Sequence, residues 1–384
     1  MVSNVGERNK VLDIAKGLGM CMIVAYHLIY REQGGLFDDI IRSCIWFIIP
    51  FYFVISGYFY KTDYDNRLEV LRYRVIRLFM PAFVTMTVLH LVGGIYFVLV
   101  HDYTVMDVID DYIVTFFRPE FTNAFYYKSI TGGWLFFQLS PVWFIWAMIW
   151  AYIIFYNVVG TAFSKSSYMI ITVVALLVTG TFFTQAFKPL PWSLGMSPIF
   201  AVLLMIGALI RKKNIFERIL KINPVIALIV SVFCIYVFWL LFKKGGCDNI
   251  YAGDFGYFGI ITPIVFIGEC LICGFAYIFI CKLLSKTYGL SSVFSWMGKN
   301  SLIILMYHCF FGMFIADALG TYMKPGPNWY LNPLPEEVVF KSFFVFGGGI
   351  ILSCIMVYVR RKVLFFLIEK NENEYVGHLL DTII

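Results

Sequence analysis

The chain has 384 residues, 60% of them hydrophobic and only 14% charged, with a formal net charge of +6. A soluble domain is about 45–50% apolar and about 25% charged. No soluble core could hide this much apolar surface, so the bilayer is the solvent for most of the chain, and nothing in the composition points to a nucleic-acid partner.

Inside hydrocarbon every backbone polar group needs an internal partner, which leaves helices or closed barrels. The apolar runs are about 18–25 residues long and unbroken, which fits helices and not alternating barrel strands. The expected fold is therefore all-α, a polytopic transmembrane helical bundle over residues 1–370 with a short cytoplasmic tail at 371–384. Spans are expected at about 11–30, 40–60, 78–100, 142–160, 168–187, 196–210, 222–242, 258–281, 301–321 and 338–359. Two of them are short or broken by proline, so counts of nine or eleven stay open beside ten. The first run carries Asp13, Lys16 and His27 and shows no small-residue cleavage site, so it reads as a span and not as a signal peptide. With the N-terminus inside, the inner segments collect about 20 Lys and Arg and the outer ones about 9. That bias predicts ten spans with both termini in the cytoplasm.

Ionisable residues within spans are costly, and each is a functional-site candidate by default. In the first span, Asp13 and Lys16 are three residues apart and can pair on one face. His27 returns to within about 40° of that face at about 21 Å further along the helix. A helix-entry ion pair and a hydrogen-bonded core histidine are the plain readings; an acid, a base and a histidine lining one functional stripe is the other. In the second span, Ser56-Gly57 marks a point of close helix approach. The inner loop after it leads into Arg74 and Arg77, which share a face at the start of the third span. Arginine forks suit phosphate and carboxylate, while a positive-inside anchor explains them equally well. Arg211-Lys212-Lys213 repeats the pattern in weaker form.

The longest connection, about 101–141, is expected outside. It is either a wall of an acceptor site or a packed cap. Further mid-span candidates are His90, Glu269, His308 and Asp317, each a proton relay or a satisfied structural group. The nine cysteines fall mostly within apolar runs without metal-like spacing. They read as small apolar fillers, Cys270-x-x-Cys273 included, and no metal is expected.

The order of these motifs resembles the acyltransferase-3 family of membrane-bound O-acyltransferases. Asp13-Ile14-Ala15-Lys16-Gly17…His27 is similar to its opening D-x-x-[RK]-G…H. Phe51-Tyr52-Phe53-Val54-Ile55-Ser56-Gly57-Tyr58 resembles F-F-x-x-S-G-[FY], and Arg74-x-x-Arg77 with Pro81 resembles R-x-x-R…P. Pro141-Val142-Trp143-Phe144 resembles the start of a middle span, and Gly298-Lys299-Asn300-Ser301…Tyr307-His308 the late G-[KR]-[NY]-S…Y-x-x-H. The closer likeness is to the fucose 4-O-acetylase-like branch. Lys16 departs from the arginine of many members and loses a bidentate fork. No SGNH esterase-like domain is evident, so the acceptor is expected to meet the membrane domain itself.

The resemblance implies a bacterial cytoplasmic-membrane enzyme with acyl-CoA, expected to be acetyl-CoA, as donor. It implies a hydroxyl of an envelope sugar, polysaccharide or lipid-linked glycan as acceptor. The candidate catalytic residues are His27, Asp13, Lys16 and His308, with His27 as the base. Arg74 and Arg77 are the candidate coenzyme-phosphate ligands, and Ser56, Trp143 and Tyr307 the candidate substrate contacts. Succinyl-CoA is a variant within this reading. The rival readings are a secondary transporter or exporter of a sugar or lipid-linked precursor, and a structural or sensor membrane protein.

Overall fold

The computed structural model describes residues 9–29, 36–60, 66–100, 103–117, 142–187, 190–243, 256–319 and 336–370. Thirteen α-helices account for nearly all of them, and there is no strand among the described residues. In chain order they are α1 (Lys10–Leu28), α2 (Leu36–Tyr58), α3 (Arg67–Val100), α4 (Val105–Phe117) and α5 (Val142–Ala162). There follow α6 (Ser166–Ala186), α7 (Ser197–Lys212), α8 (Ile215–Lys221) and α9 (Pro224–Lys243). The last four are α10 (Thr262–Leu284), α11 (Leu290–Lys299), α12 (Ser301–Ala318) and α13 (Glu336–Lys370). Short 3₁₀ turns at Pro191–Ser193 and Gly256–Ile261 lead into α7 and α10.

Ten of these helices are long and apolar enough to cross a bilayer. The expected third span at 78–100 is the apolar part of a longer helix. Arg67–Arg77 extends it, because a charged stretch without Gly or Pro keeps helical geometry. Part of the 101–141 connection is also helical, for α4 folds back on α3, and Thr87 and Tyr112 join their hydroxyls at 2.9 Å. Residues 118–141, with Thr131-Gly132-Gly133-Trp134, lie outside the described residues, as does the 371–384 tail.

Burial sorts the helices. Ile199, Phe200, Ala201, Leu203 and Leu204 are wholly buried, so α7 runs through the middle of the bundle. Phe200 stacks on Phe53 of α2 with centroids 4.2 Å apart. The two backbones meet where Gly57 faces Gly207. A Cβ on Gly57 would fall 2.0 Å from the Leu204 carbonyl oxygen, and one on Gly207 2.0 Å from that of Val54. Only glycine permits this, the small-residue crossing that lipid favours where no hydrophobic force separates helix from tail. By contrast α6 exposes Ile170, Ile171, Val174 and Val178, and α9 exposes Val225, Ile226, Ile229 and Phe233. Such faces suit hydrocarbon and not water.

Candidate active site

The site is built on α1, which packs against α2, α10, α11, α12 and α13. Asn9 starts the helix, its side chain accepting the Val11 N–H at 3.0 Å. Near this end the Lys16 ammonium lies 3.3 Å from the Asp13 carboxylate, which is 2% exposed. The sequence spacing is thus realised as an ion pair, and the neighbouring backbone is held from two sides. Tyr52 of α2 donates to the Lys16 carbonyl at 2.5 Å and Tyr277 of α10 to the Ala15 carbonyl at 2.6 Å.

The glycines of the first and last motifs meet here. A Cβ on Gly17 would lie 1.9 Å from the Phe294 carbonyl oxygen, and one on Gly298 would lie 1.8 Å from that of Asp13. Helices α1 and α11 therefore touch backbone to backbone. One residue after the crossing helix, Asn300 forms the elbow into α12. It donates to the Trp296 carbonyl at 2.7 Å and accepts from Arg361 of α13 at 2.9 Å. At the other end of α1, the Leu28 side chain fills the space over two further glycines. A Cβ on Gly312 or Gly349 would come within 2.3 or 2.6 Å of it. Glycine contacts thus set the register of α1, against α11 at the Asp13 end and against α12 and α13 at the His27 end.

That register joins the two histidines. His27 Nδ1 lies 2.9 Å from His308 Nε2, and the rings stack with centroids 5.1 Å apart. His308 is fully buried and His27 exposed. The hydrogen-bond partners assign the tautomers. His308 Nδ1 faces the Ile304 carbonyl at 3.2 Å, and a carbonyl only accepts, so Nδ1 carries the hydrogen. The neutral His308 ring then offers a lone pair at Nε2, and His27 Nδ1 donates to it. Neutral His27 consequently keeps its lone pair on Nε2, a fixed base of the kind acyl transfer requires. The Cys309 thiol lies 3.2 Å from the same His308 Nε2.

The cations gather elsewhere, around the C-terminal turn of α2. Arg74 donates to the Ser56 carbonyl at 3.5 Å, the Phe59 carbonyl at 3.0 Å and the Tyr152 hydroxyl at 3.3 Å. Its guanidinium also covers the Tyr152 and Tyr156 rings. Arg211 donates to the Tyr58 carbonyl at 3.2 Å, and the Lys16 ammonium lies 5.5 Å over the Phe59 ring. Two arginines here meet orphan carbonyls and Lys16 an aromatic ring, so three positive charges gather at the negative pole of a helix. Arg77 departs from the shared face expected of it. It is exposed and donates to Tyr73 at 2.7 Å, while Arg74 turns inward. Tyr58 donates onward to Glu217 of α8 at 2.6 Å.

The remaining candidates scatter. Ser56 lends its backbone carbonyl to Arg74, and Trp143 is buried on the first turn of α5, edge-on to Phe144. Tyr307 stacks on Phe311 at 6.0 Å, one residue from His308 and so on a different face of α12. His90 is buried on α3, its Nδ1 donating to the Met86 carbonyl at 2.8 Å. Asp317 accepts a hydrogen bond from Tyr96 of α3, and Glu269 is buried on α10. The structure therefore unites His27 with His308, and Lys16 with Arg74, but leaves about 21 Å of helix between Asp13 and His27. Sequence reasoning missed the roles of Gly17, Gly298, Asn300, Tyr52 and Tyr277. Motif glycines at helix crossings were the available signal for the first two.

The family model described as an acyltransferase domain, acyltransferase-3, matches residues 9–358. No curated protein and no solved structure matches the chain.

Proposed function

The chain belongs to the acyltransferase-3 family and is a multi-pass membrane acyltransferase, and from that premise we propose that it moves an acetyl group from acetyl-CoA to a hydroxyl of an envelope sugar, polysaccharide or lipid-linked glycan. The observation that carries this reading is the 2.9 Å His27–His308 hydrogen bond. It leaves a lone pair on His27 Nε2, on an exposed residue at the far end of α1 from the cationic cluster.

Transfer from a thioester to an alcohol needs the hydroxyl proton removed as the oxygen attacks. In the proposed reaction His27 Nε2 takes that proton. The oxygen bonds the acyl carbon, the carbon–sulfur bond breaks, and coenzyme A leaves as its thiol after protonation from the imidazolium. As Nε2 becomes protonated, the charge on His27 is stabilised through its Nδ1–H bond to His308, so His308 acts as a positioning residue. The exposed Arg77 and the half-buried Arg74, Lys16 and Arg211 form the region proposed to receive coenzyme phosphates. Asp13 would then hold Lys16 in place. With the N-terminus in the cytoplasm, this end faces the donor pool of a bacterial cytoplasmic membrane. A glycan hydroxyl as acceptor is what the resemblance of the motifs to the family implies.

The test is transfer of labelled acetyl from acetyl-CoA to an envelope glycan by reconstituted protein. His27→Ala is expected to lower turnover by about 10²–10⁴-fold, with acetyl-CoA binding retained in calorimetry. Full turnover in that variant would remove His27 as the base.

A further inference from the structure

His27, His308 and Cys309 each place one ligand atom within 4.8 Å of the others, with His308 Nε2 between His27 Nδ1 and Cys309 Sγ. Two imidazoles and a thiol are a donor set for a borderline-soft ion, not for Mg²⁺ or Ca²⁺. We propose that these three residues bind Zn²⁺ and that the ion switches the transferase off by inverting the His27 tautomer. The binding site stands on its own; the switch rests on the proposed role of His27.

The geometry suits the ion. Tetrahedral Zn²⁺, with bonds of about 2.0–2.1 Å to nitrogen and about 2.3 Å to sulfur, holds its ligand atoms about 3.3–3.6 Å apart. Two of the three pairs are at 2.9 Å between nitrogens and 3.2 Å between Sγ and His308 Nε2, so entry of the ion needs these two to open by a few tenths of an ångström, and the third lies within 4.8 Å. His308 already has the outer support that zinc-bound histidines use, since its other nitrogen donates to the Ile304 carbonyl. Exposure of His27 supplies an entry route and a fourth position for water.

The protons balance. Cys309 loses its thiol hydrogen on binding zinc, and that single proton leaves to solvent. His308 is unchanged, because its metal-facing Nε2 already carries the lone pair. His27 must offer a lone pair at Nδ1, so its hydrogen moves to Nε2. The nitrogen that was the base is then blocked, and the ion occupies the place of the His27–His308 hydrogen bond.

Co²⁺ serves as the spectroscopic stand-in, titrated into the full-length protein in detergent. A thiolate-to-cobalt absorption band is expected in the wild type and in Cys270→Ala/Cys273→Ala, and is expected to vanish in Cys309→Ala. Zn²⁺ is expected to lower wild-type turnover at least tenfold. Cys309→Ala should keep its basal turnover and require about 10–100-fold more Zn²⁺ for the same inhibition. Absence of the band in the wild type, or its survival in Cys309→Ala, would overturn the site. Bound metal without inhibition, or turnover abolished by a chelator, would overturn the switch. The band is read without any substrate, so a protein that fails to transfer acetyl still reports on the metal site.

Discussion

The two ends of α1 are built differently. At the Asp13–Lys16 end, the cations share several partners drawn from different helices. Arg74 alone reaches two carbonyls and a phenol, and the α2 terminus is shared among three cations. At the His27 end, one 2.9 Å hydrogen bond joins residues 281 positions apart, and it exists only because the helices cross in one register. A redundant cluster tolerates loss of a member and gives it up in stability; a single bond tolerates no shift and gives it up in function.

The strongest way to break the contrast is to disturb the shared scaffold. Gly298→Leu drives a side chain into the Asp13 carbonyl. It is expected to cost at least the 1–3 kcal/mol or so of ordinary overpacking and to abolish turnover at both ends together. Thermal unfolding in detergent and the transfer assay check this; a stable, active variant would contradict the backbone contact.

Next comes the histidine end by itself. His308→Ala leaves His27 without its acceptor and should lower turnover by about 10–100-fold while acetyl-CoA affinity is unchanged. His308→Gln restores a carbonyl acceptor and should recover much of the loss. A merely structural His308 would instead show equal losses in both variants.

At the cationic end the two arginines should separate. Arg74→Ala strips hydrogen bonds from the half-buried Ser56 and Phe59 carbonyls and should destabilise the fold by about 1 kcal/mol. Arg77→Ala, on an exposed side chain, should leave stability within about 0.5 kcal/mol and weaken acetyl-CoA binding. Calorimetry beside thermal unfolding distinguishes them, and unchanged donor affinity in Arg77→Ala would move the phosphate site elsewhere.

The smallest effect lies away from both ends. Thr104 and Asp107 cap α4 reciprocally, Asp107 accepting the Thr104 N–H at 2.8 Å and its hydroxyl at 2.7 Å. The Thr104 hydroxyl and backbone hydrogen bonds hold the exposed Asp107 carboxyl below its ordinary value of 3.8. A lowered carboxyl stabilises the fold above that ordinary value and loses the contribution as pH falls through the lowered one. Amide protection in α4, taken relative to the unstructured exchange rate at the same pH, should therefore fall on acidification below the usual carboxylate range, and Asp107→Asn should blunt that change without touching turnover.

How far the site was legible follows from the range of each interaction. The Asp13–Lys16 pair is local, three residues apart on one helix, and spacing sufficed to expect it. His27 and His308 could each be singled out as polar groups in apolar runs, but no periodicity relates two helices so distant in sequence. The same distance hid Cys309. Read along the chain it is one more small residue in a hydrophobic run, and only its neighbour across the α1–α12 contact gives it metal-binding company. Arg74 and Arg77 share a face by helical arithmetic, yet packing of α3 on α5 turns one inward and leaves the other outside.

The sequence by itself determined that this is a polytopic helical membrane protein, because long apolar runs have no other way to satisfy their backbones in lipid; ten helices long and apolar enough to span are found among the described residues. It also carried the family, through short motifs in order. Tertiary structure alone decided which polar groups meet. Side chains within one helix are related by a fixed 100° step, but those on different helices meet only where glycine contacts such as Gly17–Gly298 set the crossing and the register.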